Sequence, residues 1–299
     1  MSYRLKKDEP LAPGIRRIAR EQLEKALCEI KGLSHRDEGA AVHSTRKHIK
    51  RARALLRLVR RELGPEIFKG ENQRLRDVAR GFSGSRDARV QLQVLEKLRE
   101  SAEQGESAFP RTSAALETEI ADLADTFGDQ QKEAATALQQ ICDRLEGWPL
   151  ENLGADDLCA AVKRSYRRGR KSFRCASADP IAENFHTWRK RVKDLWYQAQ
   201  IVQRLNETVL CNIAESAKSL GRELGELHDL AFFRERLEAG AESPEDERAH
   251  LLGLICARER ELERIALDLG ARFYAEKPGA FGRRLLRYAR QWPARPGPA

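Results

Sequence analysis

Two stretches of the chain carry the same charged side chains at the same spacing. Val42-His43-Ser44-Thr45-Arg46-Lys47-His48-Ile49-Lys50-Arg51 recurs as Phe185-His186-Thr187-Trp188-Arg189-Lys190-Arg191-Val192-Lys193-Asp194, an offset of 143 residues. His43 matches His186, Arg46 matches Arg189, Lys47 matches Lys190 and Lys50 matches Lys193. These groups are donors to oxyanions: Arg presents a planar fork to two phosphate oxygens, and Lys a mobile point charge. His43 and His186 are neutral donors near pH 7 and cations once protonated, a form that bound phosphate favours. Metal binding fits poorly. His43 and His48 are five residues apart, about 140° around a helix, with no Cys or carboxylate at ligand spacing. Hydrolysis would need an acid cluster for a divalent metal, or a nucleophile paired with a base. Asp87 and Asp229 are the only paired carboxylates, and they read as helix N-caps or partners of nearby Arg. The expectation is a protein with no catalytic residue, metal site or cofactor; His35, His48 and His250 receive no role.

The elements that position these residues are helices. Apolar periodicity predicts them over 13–31, 38–64, 66–82, 86–103, 111–146, 156–175, 180–205, 207–224, 228–239, 244–270 and 279–291. No run of residues reads as a strand, so the fold class is all-α. Breaks fall at Gly64-Pro65, Ser83–Ser85, Gly105–Pro110, Gly147–Pro149, Ala178–Pro180, Gly240–Pro244 and Lys277–Gly279, with Asp179 and Ser243 as candidate caps. A second match reinforces the first: Arg76, Arg80 and Arg86-Asp87 correspond to Lys218, Arg222 and His228-Asp229 at an offset of 142. One residue of drift is what a loop deletion gives. The chain reads as one domain over 1–299, built from a duplicated helical unit with halves 1–147 and 148–299 and a joint near Gly147–Leu150.

Helical geometry sorts the charge. Val42, Thr45, Ile49, Ala52, Leu56, Val59 and Leu63 share one face, with His43, Lys47, Lys50, Arg57 and Arg61 opposite. In the second copy Phe185, Trp188, Val192, Leu195, Ala199 and Val202 face inward, while His186, Lys190, Lys193 and Arg204 oppose them. A third helix, Leu158–Cys175, turns Val162, Tyr166, Gly169 and Phe173 inward and projects Arg164, Arg168 and Lys171. Residues 42–61 and 158–175 together hold fifteen Lys and Arg and no acid, so the rest of the chain is net −6 against a total of +9. A smaller basic cluster is Arg283, Arg284, Arg287 and Arg290. A basic run is ordinarily a solvated face. Solvated helices, however, mix signs at i,i+4, as Leu254–Leu269 does with Arg258, Glu259, Arg260, Glu261, Glu263 and Arg264. The motif helices place like charges at that spacing instead, a cost that a polyanion would relieve.

Composition sets the remaining bounds. Of 299 residues 41% are hydrophobic, enough for a core, and 34% are charged, well above the roughly 25% of an average domain. The longest uncharged stretches, such as Ala134–Cys142 and Leu195–Gln203, fall far short of the ~20 apolar residues a spanning helix needs, so no membrane partner is expected. The start, Met1-Ser-Tyr-Arg-Leu-Lys-Lys, lacks the apolar core of a signal peptide. Six scattered cysteines, most of them in apolar helical surroundings, suit a reducing cytoplasm better than a disulfide framework or a zinc cluster.

The paired Val/Phe-His-x-x-Arg-Lys-x-x-Lys helices resemble the signature of the CHAD family, the conserved histidine α-helical domain. The resemblance extends to Ile15-Arg16-Arg17-Ile18-Ala19-Arg20-Glu21-Gln22-Leu23, to Tyr166-Arg167-Arg168, and to the Leu-Gly-x-x-x-Asp-type turns ending at Asp87 and Asp229. It implies two four-helix bundles related by a pseudo-twofold axis, with basic helices lining a shared central cleft. It also implies binding of inorganic polyphosphate and recruitment to polyphosphate granules. Two features depart from the pattern: Arg53 and Arg57 become Trp196 and Gln200 in the second copy, and Ser83-Gly84 replaces the Leu-Gly turn. Some members are fused to a CYTH-type triphosphatase domain with a Glu-x-Glu-x-Lys motif. The nearest string here is Glu117-Thr118-Glu119-Ile120-Ala121, so a stand-alone domain is expected.

On this reading the lining of the cleft is His43, Arg46, Lys47, Lys50, Arg53, Arg57, Arg76 and Arg80 from the first half. From the second come Arg164, Arg168, Lys171, His186, Arg189, Lys190, Lys193, Lys218 and Arg222. A linear polyanion there would release counterions as nucleic acid does. General polyanion or nucleic-acid binding is the alternative. Against it, aromatics are only 6%, and Tyr166, Phe173 and Trp188 are spaced for the core rather than for stacking on bases. A granule protein could also recruit other granule-associated proteins through its acidic outer faces.

Overall fold

The computed structural model describes residues 3–32, 38–82, 84–101, 108–124, 127–240 and 245–291. Among these residues the regular elements are all helical. In chain order they are α1 (Leu11–Lys31), α2 (Glu38–Leu58), α3 (Arg60–Gly81), α4 (Gly84–Ser101), α5 (Pro110–Ala124), α6 (Phe127–Arg144), α7 (Ala155–Ala178), α8 (Ala182–Ile201), α9 (Glu207–Glu238), α10 (Glu245–Phe273) and α11 (Pro278–Ala289). None is long and apolar enough to cross a membrane.

The two motif helices bury the faces that their periodicity marks. Every residue of the sets Val42–Leu63 and Phe185–Val202 named as inward-facing is buried. Each large aliphatic or aromatic side chain so placed contributes about 1.5–3 kcal/mol. Trp188 is fully buried, packed on Phe173 with ring centroids 5.2 Å apart. It leaves no room at Gly270, where a Cβ would lie 2.6 Å from the indole. Around this centre α8 packs on α7, α9 and α2, while α1 packs on α2 and α6.

Polar ties lock α2 to α8. The fully buried Gln198 donates Nε2 to the carbonyl of Ala54 at 3.3 Å. Ahead of α1 the chain ties to both helices. The Leu5 N–H donates to the Ile201 carbonyl at 3.0 Å, and the Tyr3 hydroxyl to the Arg51 carbonyl at 2.7 Å. The segment 145–150 is packed rather than loose: Trp148 and Leu150 are buried, and Arg16 Nη2 donates to the Trp148 carbonyl at 2.6 Å.

Several expectations need correction. The helix predicted over 111–146 is two, α5 and α6, whereas 207–224 and 228–239 are one, α9. Gly225 is no break: it is buried in mid-helix with Arg189 packed 3.7 Å from where its Cβ would be. Asp229 therefore lies inside α9 and caps nothing, while Asp87 does sit in the first turn of α4. Asp179 does not cap α8 either; Ile181 holds that position, and Asp179 accepts from the Asn184 side chain instead. The break at Gly64-Pro65 is present, with Gly64 non-helical at φ 73° dividing α3 at a kink, and a further boundary that the sequence did not mark falls earlier, at Val59. Only Cys142 and Cys159 are buried; Cys28 and Cys175 are exposed, because they fall on the outer faces of α1 and α7. His35, Ser83 and Ser243 lie outside the described residues.

Candidate functional site

The basic faces of α2, α3, α7 and α8 meet in two adjoining cavities. The inner one, about 530 Å³, receives Arg46, Lys50, Arg53 and Arg57 from α2 and Arg76 from α3. Facing them are His186, Arg189, Lys190, Arg191, Lys193, Asp194 and Tyr197 from α8 and His228 from α9. The outer cavity, about 710 Å³, is walled by Arg60, Arg61, Gly64, Pro65 and Phe68 of α3 and by Arg164, Arg167, Arg168 and Lys171 of α7. Arg57, Arg191 and Asp194 line both.

The structure thus brings together twelve of the seventeen residues that the sequence singles out. His43 and Lys47 are exposed on α2 but line neither cavity. Arg80, Lys218 and Arg222 also lie outside them: Arg80 is 3.9 Å from Asp77, Lys218 is 3.3 Å from Glu215, and Arg222 pairs with Glu223 at 2.8 Å. These pairings follow from i,i+3 or neighbouring acids on their own helices.

Sequence reasoning passed over four lining groups of the inner cavity and, among the charged groups of the outer one, Arg60, Arg61 and Arg167. Arg191 and Asp194 lie inside the second motif, and Asp194 is the one acid in an otherwise acid-free stretch from 185 to 204, which was the available signal. His228 stands at a repeat-matched position and lies against His186, ring centroids 4.1 Å apart and planes tilted by 36°. Tyr197 gave none, because its period marks it as core; it is buried against Tyr3.

Crowding of cations sets the electrostatics. Burial, followed by the charges of Arg57 and Arg76, brings the Arg53 guanidinium down to about 10, and its Nε donates to Asn72 Oδ1 at 3.0 Å. Burial pushes His186 down to about 4, helped by Lys190 and Arg189, so its imidazole is neutral at pH 7. Lys190 falls for the same reasons, burial first and then Arg191 and Arg189. The Arg46 guanidinium is held by the Ala79 carbonyl. Asp194 is the sole carboxylate in either lining. It accepts from Arg57 Nη1 at 3.1 Å and from Arg191 Nη1 at 3.3 Å. Burial nevertheless raises its pKa, outweighing Arg57, Arg191 and the more distant Arg53 and Arg168. On α7 the contrast is sharp: Arg164, Arg167, Arg168 and Lys171 have no ion-pair partner among the described residues. Such a surface can hold an anion with several separated charges.

A family model for the CHAD domain matches residues 17–238, well over half of the chain and all of the lining residues. The chain belongs to the CHAD domain family. Its fold agrees with a crystal structure of the CHAD domain from the plant Ricinus communis, with a TM-score of 0.59 at 18% identity, covering 93% of this chain and 96% of that one. A search of curated proteins gives no match. Relative to the CHAD match, α10 and α11 lie beyond its end, and neither contributes to the two cavities.

Proposed function

We propose that this CHAD chain binds inorganic polyphosphate without hydrolysing it, and that this binding targets it to polyphosphate granules in the cytoplasm. One observation carries the reading. Nine Lys and Arg side chains surround the inner cavity and eight the outer, with Arg57 and Arg191 in both, against a single carboxylate. Fifteen distinct cations at close quarters repel one another, and a chain of phosphates neutralises them without needing any other chemistry. Membership of the CHAD family supports the same ligand.

The architecture inferred with it is a duplicated one, with halves 1–147 and 148–299 related by a pseudo-twofold axis. The packing of α1 on α2, of α7 on α8, and of α2 on α8 supports that reading. Nucleic acid is disfavoured by the lining. Its only rings besides the histidines are Phe68 and Tyr197, both buried, and the Arg60 guanidinium lies over the Phe68 ring at 4.6 Å. No aromatic face is left for bases to stack on. A metal-dependent phosphatase would need several carboxylates at the phosphates, and the one present is engaged by two arginines.

The test is a titration with long-chain polyphosphate over a range of salt, with charge-matched DNA and heparin as competitors. Binding that survives both competitors is expected. Equal displacement by all three would reduce the protein to a general polyanion binder, and phosphate release with Mg²⁺ or Mn²⁺ would overturn the non-catalytic reading.

A further inference from the structure

Asp194 is out of place on a surface built to attract anions, and its surroundings are specific. Its carboxylate spans from Arg57 on α2 to Arg191 on its own helix, and it lines the inner and outer cavities alike. Its side chain is only 15% exposed. The matching residue of the first motif is Arg51, whose guanidinium lies over the Tyr3 ring at 5.1 Å. The first copy therefore has no equivalent bridge.

We infer that the Arg57–Asp194–Arg191 bridge divides the basic surface into two separate anion-binding compartments, and that a long phosphate chain must displace it to run through both. This rests on the polyphosphate-binding reading above. The carboxylate occupies the position where a continuous chain would place a phosphate, and it withholds two arginines from the ligand. A short anion meets no such obstacle. The inner compartment offers Arg46, Lys50 and Lys193, and the outer offers Arg164, Arg168 and Lys171, each set on its own side of the bridge. Two short anions can therefore bind at once, whereas a long chain first breaks a pair of charge-assisted hydrogen bonds.

The experiment is isothermal titration of the full chain with tripolyphosphate and with long-chain polyphosphate. Unaltered protein is expected to take up two equivalents of tripolyphosphate. Lys50→Glu with Lys193→Glu should remove one equivalent, and Arg164→Glu with Arg168→Glu the other. Asp194→Asn removes the internal anion and frees both arginines, so long-chain affinity should rise about tenfold, while tripolyphosphate stoichiometry stays at two. A single equivalent in the unaltered protein, abolished by either double reversal, would overturn the two compartments while leaving polyphosphate binding intact. A folded Asp194→Asn protein with unchanged or weaker long-chain affinity would overturn the role of the bridge. Failure to bind either anion would overturn the proposed function itself. The stoichiometry of the unaltered chain decides the question even if Asp194→Asn does not fold.

Discussion

Reversing Lys50 and Lys193 together should remove tight polyphosphate binding without unfolding the helices that carry them. Both residues line the inner cavity from opposite sides, and neither belongs to the buried face of its helix. A hydrogen bond to a charged partner contributes about 1.5–3 kcal/mol, so two lost contacts weaken binding by about 3–6 kcal/mol, or 10²–10⁴ in Kd. Two new carboxylates also repel the ligand. The local charge falls by four, and at about 0.7 per neutralised charge of a single-stranded polyanion the log–log salt slope should drop by about 3. Helicity should persist, because Glu at 50 or 193 stands four residues from Arg46 or Arg189, an attractive pairing in place of a repulsive one. The assay is Kd at 50–200 mM salt, with circular dichroism as the fold check. Arg283→Glu with Arg287→Glu makes the same change in net charge on the exposed face of α11, away from both cavities. The reasoning fails if the cleft variant keeps its affinity within threefold, or if the α11 variant loses as much.

Other perturbations probe other parts of the molecule. A bound anion should raise His186 from its value of about 4, so binding takes up a proton and affinity increases as pH falls from 7 toward 5; equal calorimetric enthalpies in buffers of different ionisation heat at pH 5 would contradict this. His48 is buried, bonded to Gln22 Oε1 at 2.9 Å, and held down to about 4 by burial and by Arg51. Between pH 6.5 and 4 the unfolded chain binds the extra proton, so stability is complete above pH 6.5 and is lost on acidification. The loss is at most about 3 kcal/mol, and His48→Gln should flatten the melting temperature over that range. Gly169→Ala would set a Cβ 2.3 Å from the Tyr274 hydroxyl and should cost about 1–3 kcal/mol by denaturant titration. Gly221→Ala, 3.6 Å from Val192, should be neutral or stabilising, and equal losses at the two positions would refute the packing argument.

Local periodicity carried most of the fold. The inner faces of α2 and α8 were legible because one repeat of 3.6 residues decides both helix and burial, and the matching motifs identified the basic faces in the same step. Glycine misled at Gly225, which reads as punctuation in the sequence but lies in the middle of α9, where a Cβ would meet Arg189 at an ordinary 3.7 Å. The opposite error joined α5 to α6, because the apolar period runs on past Ala124 and hides the boundary. The site divided along similar lines. Arg46, Lys50, Arg189 and Lys193 share a helical phase that predicts a common direction, and they meet. Arg80, Lys218 and Arg222 were placed by repeat matching alone, and local acids engage them instead. The partnership of Asp194 with Arg57 joins residues 137 apart, which no local pattern encodes.

That separation also has a direction in time. A ribosome adds about 5–20 residues per second, so Arg57 emerges on the order of ten seconds before Asp194 exists. Leu5 likewise waits for Ile201 before its backbone hydrogen bond can close. Through that interval the nascent first half carries eight cations between residues 42 and 61 and no acid among them. That run must stay unfinished beside the ribosome's own RNA, so the first polyanion it meets is the machine that makes the protein.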